Sequence, residues 1–142
     1  MLLLIGDGDE EQNIRNYIKY FNLCDRVMLL GWKNNPYPYI KSARLLVLTS
    51  DFEGLPTVLI EALSLNTPVV STDCPCGPSE ILQGKLSRFL VPLNDVKSLA
   101  DAMSVALENY PEIDQVLLNK FSVQSVCDKY LKIINDFAGH RR

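Results

Sequence analysis

The sequence predicts an α/β fold in which a parallel sheet carries helices on both faces. Three observations lead there. Short apolar runs alternate with longer stretches of helical period, most of the runs are followed by glycine or a turn, and the composition is that of a globular chain. The 142 residues are 47% apolar and 22% charged, which argues against disorder. By area scaling, a 16.0 kDa chain exposes roughly 23,000 Å² unfolded and about 7,400 Å² folded. That is enough burial for one full-sized core, and residues 1–142 are read as a single domain.

The elements follow in order. Leu2-Leu3-Leu4-Ile5 reads as a buried strand closed by Gly6-Asp7-Gly8. Ile14, Tyr17, Ile18 and Phe21 fall at i, i+3, i+4 and i+7, one face of a helix. Asp9, Glu10 and Glu11 stand at its start, where negative charge suits the dipole. Residues 26–30 form a second strand ended by Gly31, and Asn35-Pro36-Tyr37-Pro38-Tyr39 opens a short helical segment. Further strands are expected at 44–49, 68–71 and 88–91, with a helix over 55–65. Val96, Leu99, Ala100, Met103 and Leu107 then give one apolar stripe. Val123, Val126, Cys127, Tyr130, Ile134 and Phe137 give another, behind Ser122 as an N-cap. Strands alternating with helices make a parallel sheet, whose ligands bind beyond the carboxyl ends of the strands. The informative loops are therefore 6–11, 31–35, 50–57 and 72–79.

Charge and cysteine usage remove several classes of function. With 14 basic and 17 acidic side chains the net charge is −3, and Lys19, Arg26, Lys33, Lys41 and Arg44 make no stripe, so nucleic acid is not expected as a partner. No run approaches about 18 apolar residues, and Met-Leu-Leu-Leu-Ile lacks the basic flank of a signal peptide. Four cysteines suggest a reduced, cytoplasmic protein rather than a disulfide scaffold. Cys24 and Cys127 read as buried small apolar residues, and Cys74-Pro75-Cys76 as loop packing, too close for a relaxed disulfide. Asp7-Gly8-Asp9 spells a D-x-D pattern, but Asp9 is better explained by the helix start, and no metal is expected. Gly6-Asp7-Gly8 lacks the third small residue of a dinucleotide fingerprint, since position 11 is Glu. His140 sits in a Gly-His-Arg-Arg tail and reads as a frayed end.

The chemistry concentrates in Ser50-Asp51-Phe52-Glu53-Gly54-Leu55-Pro56-Thr57-Val58-Leu59-Ile60-Glu61. A strand runs into a turn with a carboxylate and a glycine, and a proline stands near the first helical position, where its missing N–H costs nothing. The free N–H groups of the helix start form an anion site, and Gly54 lets a phosphate approach the backbone. Glu53 and Glu61 are eight residues apart, roughly 80° around a helix axis, and are read as serving different parts of one elongated ligand. Carboxylates are acceptors suited to sugar hydroxyls. A phosphate flanked by two hydroxyl-bearing groups describes a nucleotide sugar. A glutamate pair at this spacing is ordinarily just a surface residue beside a capping turn and a core-edge carboxylate. Gly-Leu-Pro between the two, behind a buried strand, turns the reading toward a ligand.

Glu53 through Glu61, with Gly54, Pro56 and the trailing residues 62–73, resembles the E-x7-E region of retaining GT-B glycosyltransferases, of the group 1 or family 4 type. Residues 2–8, residues 27–32 and Gly77-Pro78-Ser79-Glu80-Ile81-Leu82 extend the likeness, toward the branch that builds O-antigen and capsule saccharides on a lipid carrier. The resemblance implies a Rossmann-like sheet, the C-terminal half of a GT-B fold with its first strand missing. It implies Glu53 on the donor hexose, as a positioner at the catalytic centre, and Glu61 on the ribose. Main chain at Gly54, Leu55, Pro56 and Thr57 would face the diphosphate, and Gly31 and Trp32 would border the base. Trp32 is equally readable as a hydrophobic lid on the core.

The implied enzyme moves a hexose, with GalNAc from UDP-GalNAc expected, onto a lipid-linked saccharide at the inner membrane face, without a metal cofactor. The family's acceptor domain and its Arg- and Lys-bearing strand have no counterpart in these residues. The chain is accordingly expected to be an inactive fragment that binds donor weakly, with unpaired strand edges inviting strand exchange or a dimer. Two alternatives stand beside it: a non-catalytic Rossmann-like interaction module, and an NAD-using redox domain.

Overall fold

The computed structural model describes residues 1–139, so the His140 tail lies outside the described residues. The chain divides into two compact units, Met1–Tyr39 and Ile40–Arg142.

In the first unit β1 (Leu2–Ile5), α1 (Glu11–Tyr20) and β2 (Val27–Gly31) form a βαβ turn of chain. The strands pair in parallel, Leu2 with Val27 and Leu4 with Leu29, until a register slip sets Ile5 against Gly31. Helix α1 stops because Asn22 turns left-handed (φ 54°). Leu23 N–H then reaches the Ile18 carbonyl at 2.8 Å and Asn22 N–H that of Lys19 at 3.0 Å, closing the last turn. The expected burial of β1 is corrected: Leu2, Leu3 and Ile5 are each more than a third exposed. The apolar run identified a strand but not its cover, and β2 is its one neighbour in this sheet. The face expected on α1 is also partial. Ile14 and Ile18 are half-buried, whereas Tyr17 and Phe21 stack on one another in solvent with ring centroids 6.5 Å apart. Helix α2 spans Tyr37–Ser42.

The second unit holds a parallel sheet in the order β3 (Leu46–Leu48), β4 (Val69–Thr72), β5 (Leu90–Val91). All of β4 is buried, and its alternation divides the core in two. Val69 packs with Leu59, Leu63, Ile81 and Leu82, on the side of α3 (Thr57–Ser64) and α4 (Pro78–Ile81). Val70 packs with Phe89, Val91 and Ala106, on the side of α5 (Val96–Glu108). Helices therefore cover both faces of this sheet, as expected.

The predicted strand over 88–91 shortens to Leu90–Val91 because residues Gly84–Phe89 wind into a 3-10 turn. Asp95 caps α5, accepting from the Ser98 N–H at 2.9 Å and the Ser98 hydroxyl at 2.7 Å. These bonds, the main-chain one first, hold its carboxyl below the usual range. Helices α6 (Gln115–Asn119) and α7 (Val123–Gly139) finish the chain. Ser122 caps α7 through the Ser125 N–H at 3.2 Å. The apolar stripe of α7 is exposed, Val123, Tyr130, Ile134 and Phe137 each by more than half. Cys24 and Cys127 are exposed as well, against their expected burial. A single small apolar residue on a helix or loop carries no signal of what covers it.

Candidate functional site

The loop between β3 and α3 holds most of the sequence-predicted site. Residues 49–56 carry the chain from the sheet edge to the helix, and neither α-helix nor strand hydrogen bonding shapes them. Pro56 is buried and stands just before the helix, with φ −72° and ψ 89°. The helix thus begins at Thr57, two residues later than expected. Leu59 N–H turns back to the Pro56 carbonyl at 3.0 Å. Among the described residues the N–H groups of Thr57 and Val58 find no main-chain acceptor, and no side chain caps the helix. Together they are the donors an anion needs at a helix start. At the far end, left-handed Asn66 (φ 59°) closes α3 as Asn22 closes α1, with Thr67 N–H on the Ala62 carbonyl at 2.8 Å.

Glu53 is half-buried and its Oε1 accepts from the Ser50 hydroxyl at 2.7 Å. Ser50 is itself tied down: its carbonyl accepts from Thr72 Oγ1 at 2.6 Å. Cys74 is buried nearby, and burial first, then the Glu53 charge, pushes its thiol above the usual range. Glu61 lies within α3 and is half-buried. Among the described residues neither Glu53 nor Glu61 has an ion-pair partner, so both keep acceptor capacity for a ligand. Gly54, Leu55 and Thr57 are exposed, leaving that stretch of turn open to solvent. Two surface hollows, of about 570 and 430 Å³, lie elsewhere, along the start of α7 and between β5 and α5, and are lined by none of these residues.

Gly31 and Trp32 belong to the first unit, at the end of β2. Gly31 has φ 64°, a left-handed turn that glycine takes without strain, and its carbonyl accepts from Gly6 N–H at 3.1 Å. Trp32 is 67% exposed and its indole N–H donates to Asn34 Oδ1 at 3.0 Å. It is not a lid over its unit's interior. Asp7 and Asp9 are exposed, and no group of three His, Cys, Asp or Glu side chains among the described residues is placed to hold a metal.

The sequence singles out the loop 72–79 by its position and gives Cys74-Pro75-Cys76 a packing role, but no part in shaping the site. Thr72, Cys74 and Gly77 all meet the Ser50–Pro56 stretch. Cys-Pro-Cys-Gly-Pro one residue after a buried strand is the available signal, because β4 neighbours β3 and the loops that follow them leave the same end of a parallel pair.

The family described as glycosyl transferases group 1 matches residues 1–120, and the chain belongs to it. The lipopolysaccharide 1,6-galactosyltransferase of Escherichia coli K12 is 33% identical over 84% of the chain. A Campylobacter jejuni N-acetylgalactosaminyltransferase acting on a diphospho-undecaprenol-linked saccharide is 30% identical over 95% of it. The chain spans 37% of each of these relatives. Among solved structures, a Staphylococcus aureus TarM mutant in complex with fondaparinux, α-GlcNAc-glycerol and UDP is 26% identical, with a TM-score of 0.82. That match covers 94% of this chain and 28% of TarM's.

Proposed function

We propose that these residues form the donor-binding part of a retaining, metal-independent glycosyltransferase that takes a UDP-linked sugar. The carrying observation is the turn from Glu53 to Thr57. It presents uncommitted main-chain N–H groups at a helix start, with an acidic residue before it and another, Glu61, within the helix. In this reading the amides hold the diphosphate, Glu53 accepts from hexose hydroxyls and Glu61 from the ribose. Glu53 is oriented by Ser50. Its part is to position the sugar while the site stabilises the departing diphosphate and an oxocarbenium-like centre. The UDP in the TarM complex supports the choice of nucleotide.

UDP-GalNAc is the donor and a lipid-linked saccharide the acceptor that fit the O-antigen branch, a choice supported by the substrate in the Campylobacter relative's name. The E-x7-E assignment of Glu53 and Glu61 is part of the same proposal. So are an acceptor domain outside these residues, assembly through unpaired strand edges, and work in the cytoplasm at the inner membrane face. No described helix is long and apolar enough to cross a membrane.

Calorimetry on the chain tests this: saturable UDP binding, lost in Glu61→Ala, is expected. One observation favours a second reading. Residues 50–61 contain no Lys or Arg, so within this segment only main-chain groups can meet the diphosphate charge. No heat at millimolar UDP would turn the assignment to an interaction module without donor affinity.

A further inference from the structure

The Ser50–Pro56 turn lacks regular hydrogen bonding of its own, so its shape is imposed from outside. The end of β4 and the segment that follows it do this at three points. At the start of the turn, Thr72 Oγ1 donates to the Ser50 carbonyl at 2.6 Å, and Thr72 is buried. Ser50 in turn donates to Glu53 at 2.7 Å, so one hydroxyl on the central strand anchors the residue that orients the carboxylate. In the middle, the buried Cys74 side chain lies where the Glu53 charge bears on it. At the far end, buried Gly77 has φ 86°. A Cβ there would overlap the Gly54 carbonyl oxygen and the Pro56 ring. Neither is the far end of a flexible side chain, so neither can swing aside.

We infer that Thr72 and Gly77 are positioning residues for nucleotide-diphosphate binding, the Thr72–Gly77 segment acting as the mould against which the Glu53–Thr57 turn takes its ligand-holding shape. This rests on the donor-site reading above. The mechanism is preorganisation. Amides aimed at an anion bind only if the turn is already set, because ordering it on binding consumes affinity. Thr72 sets the level of the Ser50 main chain, where the turn that leads to the first-turn N–H groups begins. Gly77 sets how closely the two loops approach, and so the height of Gly54 and of the first-turn N–H groups behind it.

The test is titration of the chain with UDP, in wild type and in Thr72→Val, Thr72→Ser and Gly77→Ala, with thermal melting of each. Valine keeps the shape of threonine and removes the donor, whereas serine keeps the donor. Thr72→Val and Gly77→Ala are expected to weaken UDP binding by at least about tenfold, and Thr72→Ser to stay within about threefold of wild type. A general loss of packing would not be rescued by serine, which is smaller. Should Gly77→Ala not fold, the Thr72 pair decides alone. Wild-type affinity in Thr72→Val, or an equal loss in Thr72→Ser, overturns the inference while leaving the donor site standing. Failure of the wild-type chain itself to bind UDP removes the donor site, and the inference with it.

Discussion

The hydroxyl of Ser50 donates to the carboxylate of Glu53 at 2.7 Å, so the acidic residue of the turn is oriented before any ligand arrives. Its second oxygen remains free to accept. If Glu53 serves the hexose and Glu61 the ribose, their loss separates by ligand. Glu53→Gln is expected to cut UDP-GalNAc affinity by about tenfold, roughly 1.4 kcal/mol, and to leave UDP affinity unchanged. Glu61→Ala lowers both. Ser50→Ala follows Glu53→Gln with a smaller effect. Calorimetric titration of each variant with the two ligands measures the difference, and equal losses for both ligands in Glu53→Gln would reject the division of roles.

Donor binding is expected to survive EDTA. Asp7 and Asp9 stand exposed around a glycine turn, Asp9 just ahead of α1, where its charge suits the dipole. Asp7→Asn with Asp9→Asn should titrate with UDP as wild type does. A requirement for Mn²⁺ would restore the pair as ligands.

The four thiols should divide three to one. Cys24, Cys76 and Cys127 are exposed and Cys74 is buried, its thiol held protonated first by burial and then by the Glu53 charge. Reaction with a chromophoric disulfide reagent is expected to consume three thiols quickly and the fourth only on unfolding. Since burial is the larger cause, Glu53→Gln should leave Cys74 slow. Rapid reaction of all four would show that the 72–77 loop opens freely.

Tyr110 stacks on Phe89 with centroids 4.5 Å apart. Its hydroxyl is buried against the Val69 main chain, outside ordinary hydrogen-bond geometry. Burial pushes its pKa from 10.0 to about 12. The unfolded chain therefore loses this proton at lower pH than the folded one. The contribution is intact below pH 10 and declines as pH rises toward 12. Urea midpoints should fall over that window, less steeply in Tyr110→Phe. Near neutral pH the same variant is expected to be neutral or slightly stabilising, since it removes an unpaired polar atom. A large loss of stability in Tyr110→Phe would mean that the hydroxyl has a partner.

Elements with a local signature were legible in the sequence. The strands β3 and β4 sit within two residues of their expected bounds, because Leu-Leu-Val-Leu and Pro-Val-Val-Ser are compact apolar runs between turn residues. The Glu53–Thr57 turn was legible for the same reason: Gly54 and Pro56 break periodicity in a fixed place. What failed depends on distant neighbours. Whether β1 is covered, or Cys127 buried, is decided by surfaces that a run of leucines or a helical stripe does not encode. Thr72 on Ser50 joins residues 22 apart, and the contact of Gly77 with Gly54 needs two loops placed side by side, so neither leaves a trace in spacing.

The fit of Gly77 against Gly54 and Pro56 bears on how this protein can be re-engineered. Every other amino acid adds the atom that the space forbids, so a saturation library over the donor loop gains nothing from randomising codon 77 and fills with clones whose donor turn is pushed out of place. Diversity for a new sugar preference belongs at Leu55 and Thr57, whose side chains meet water and can be exchanged without moving the scaffold beneath them.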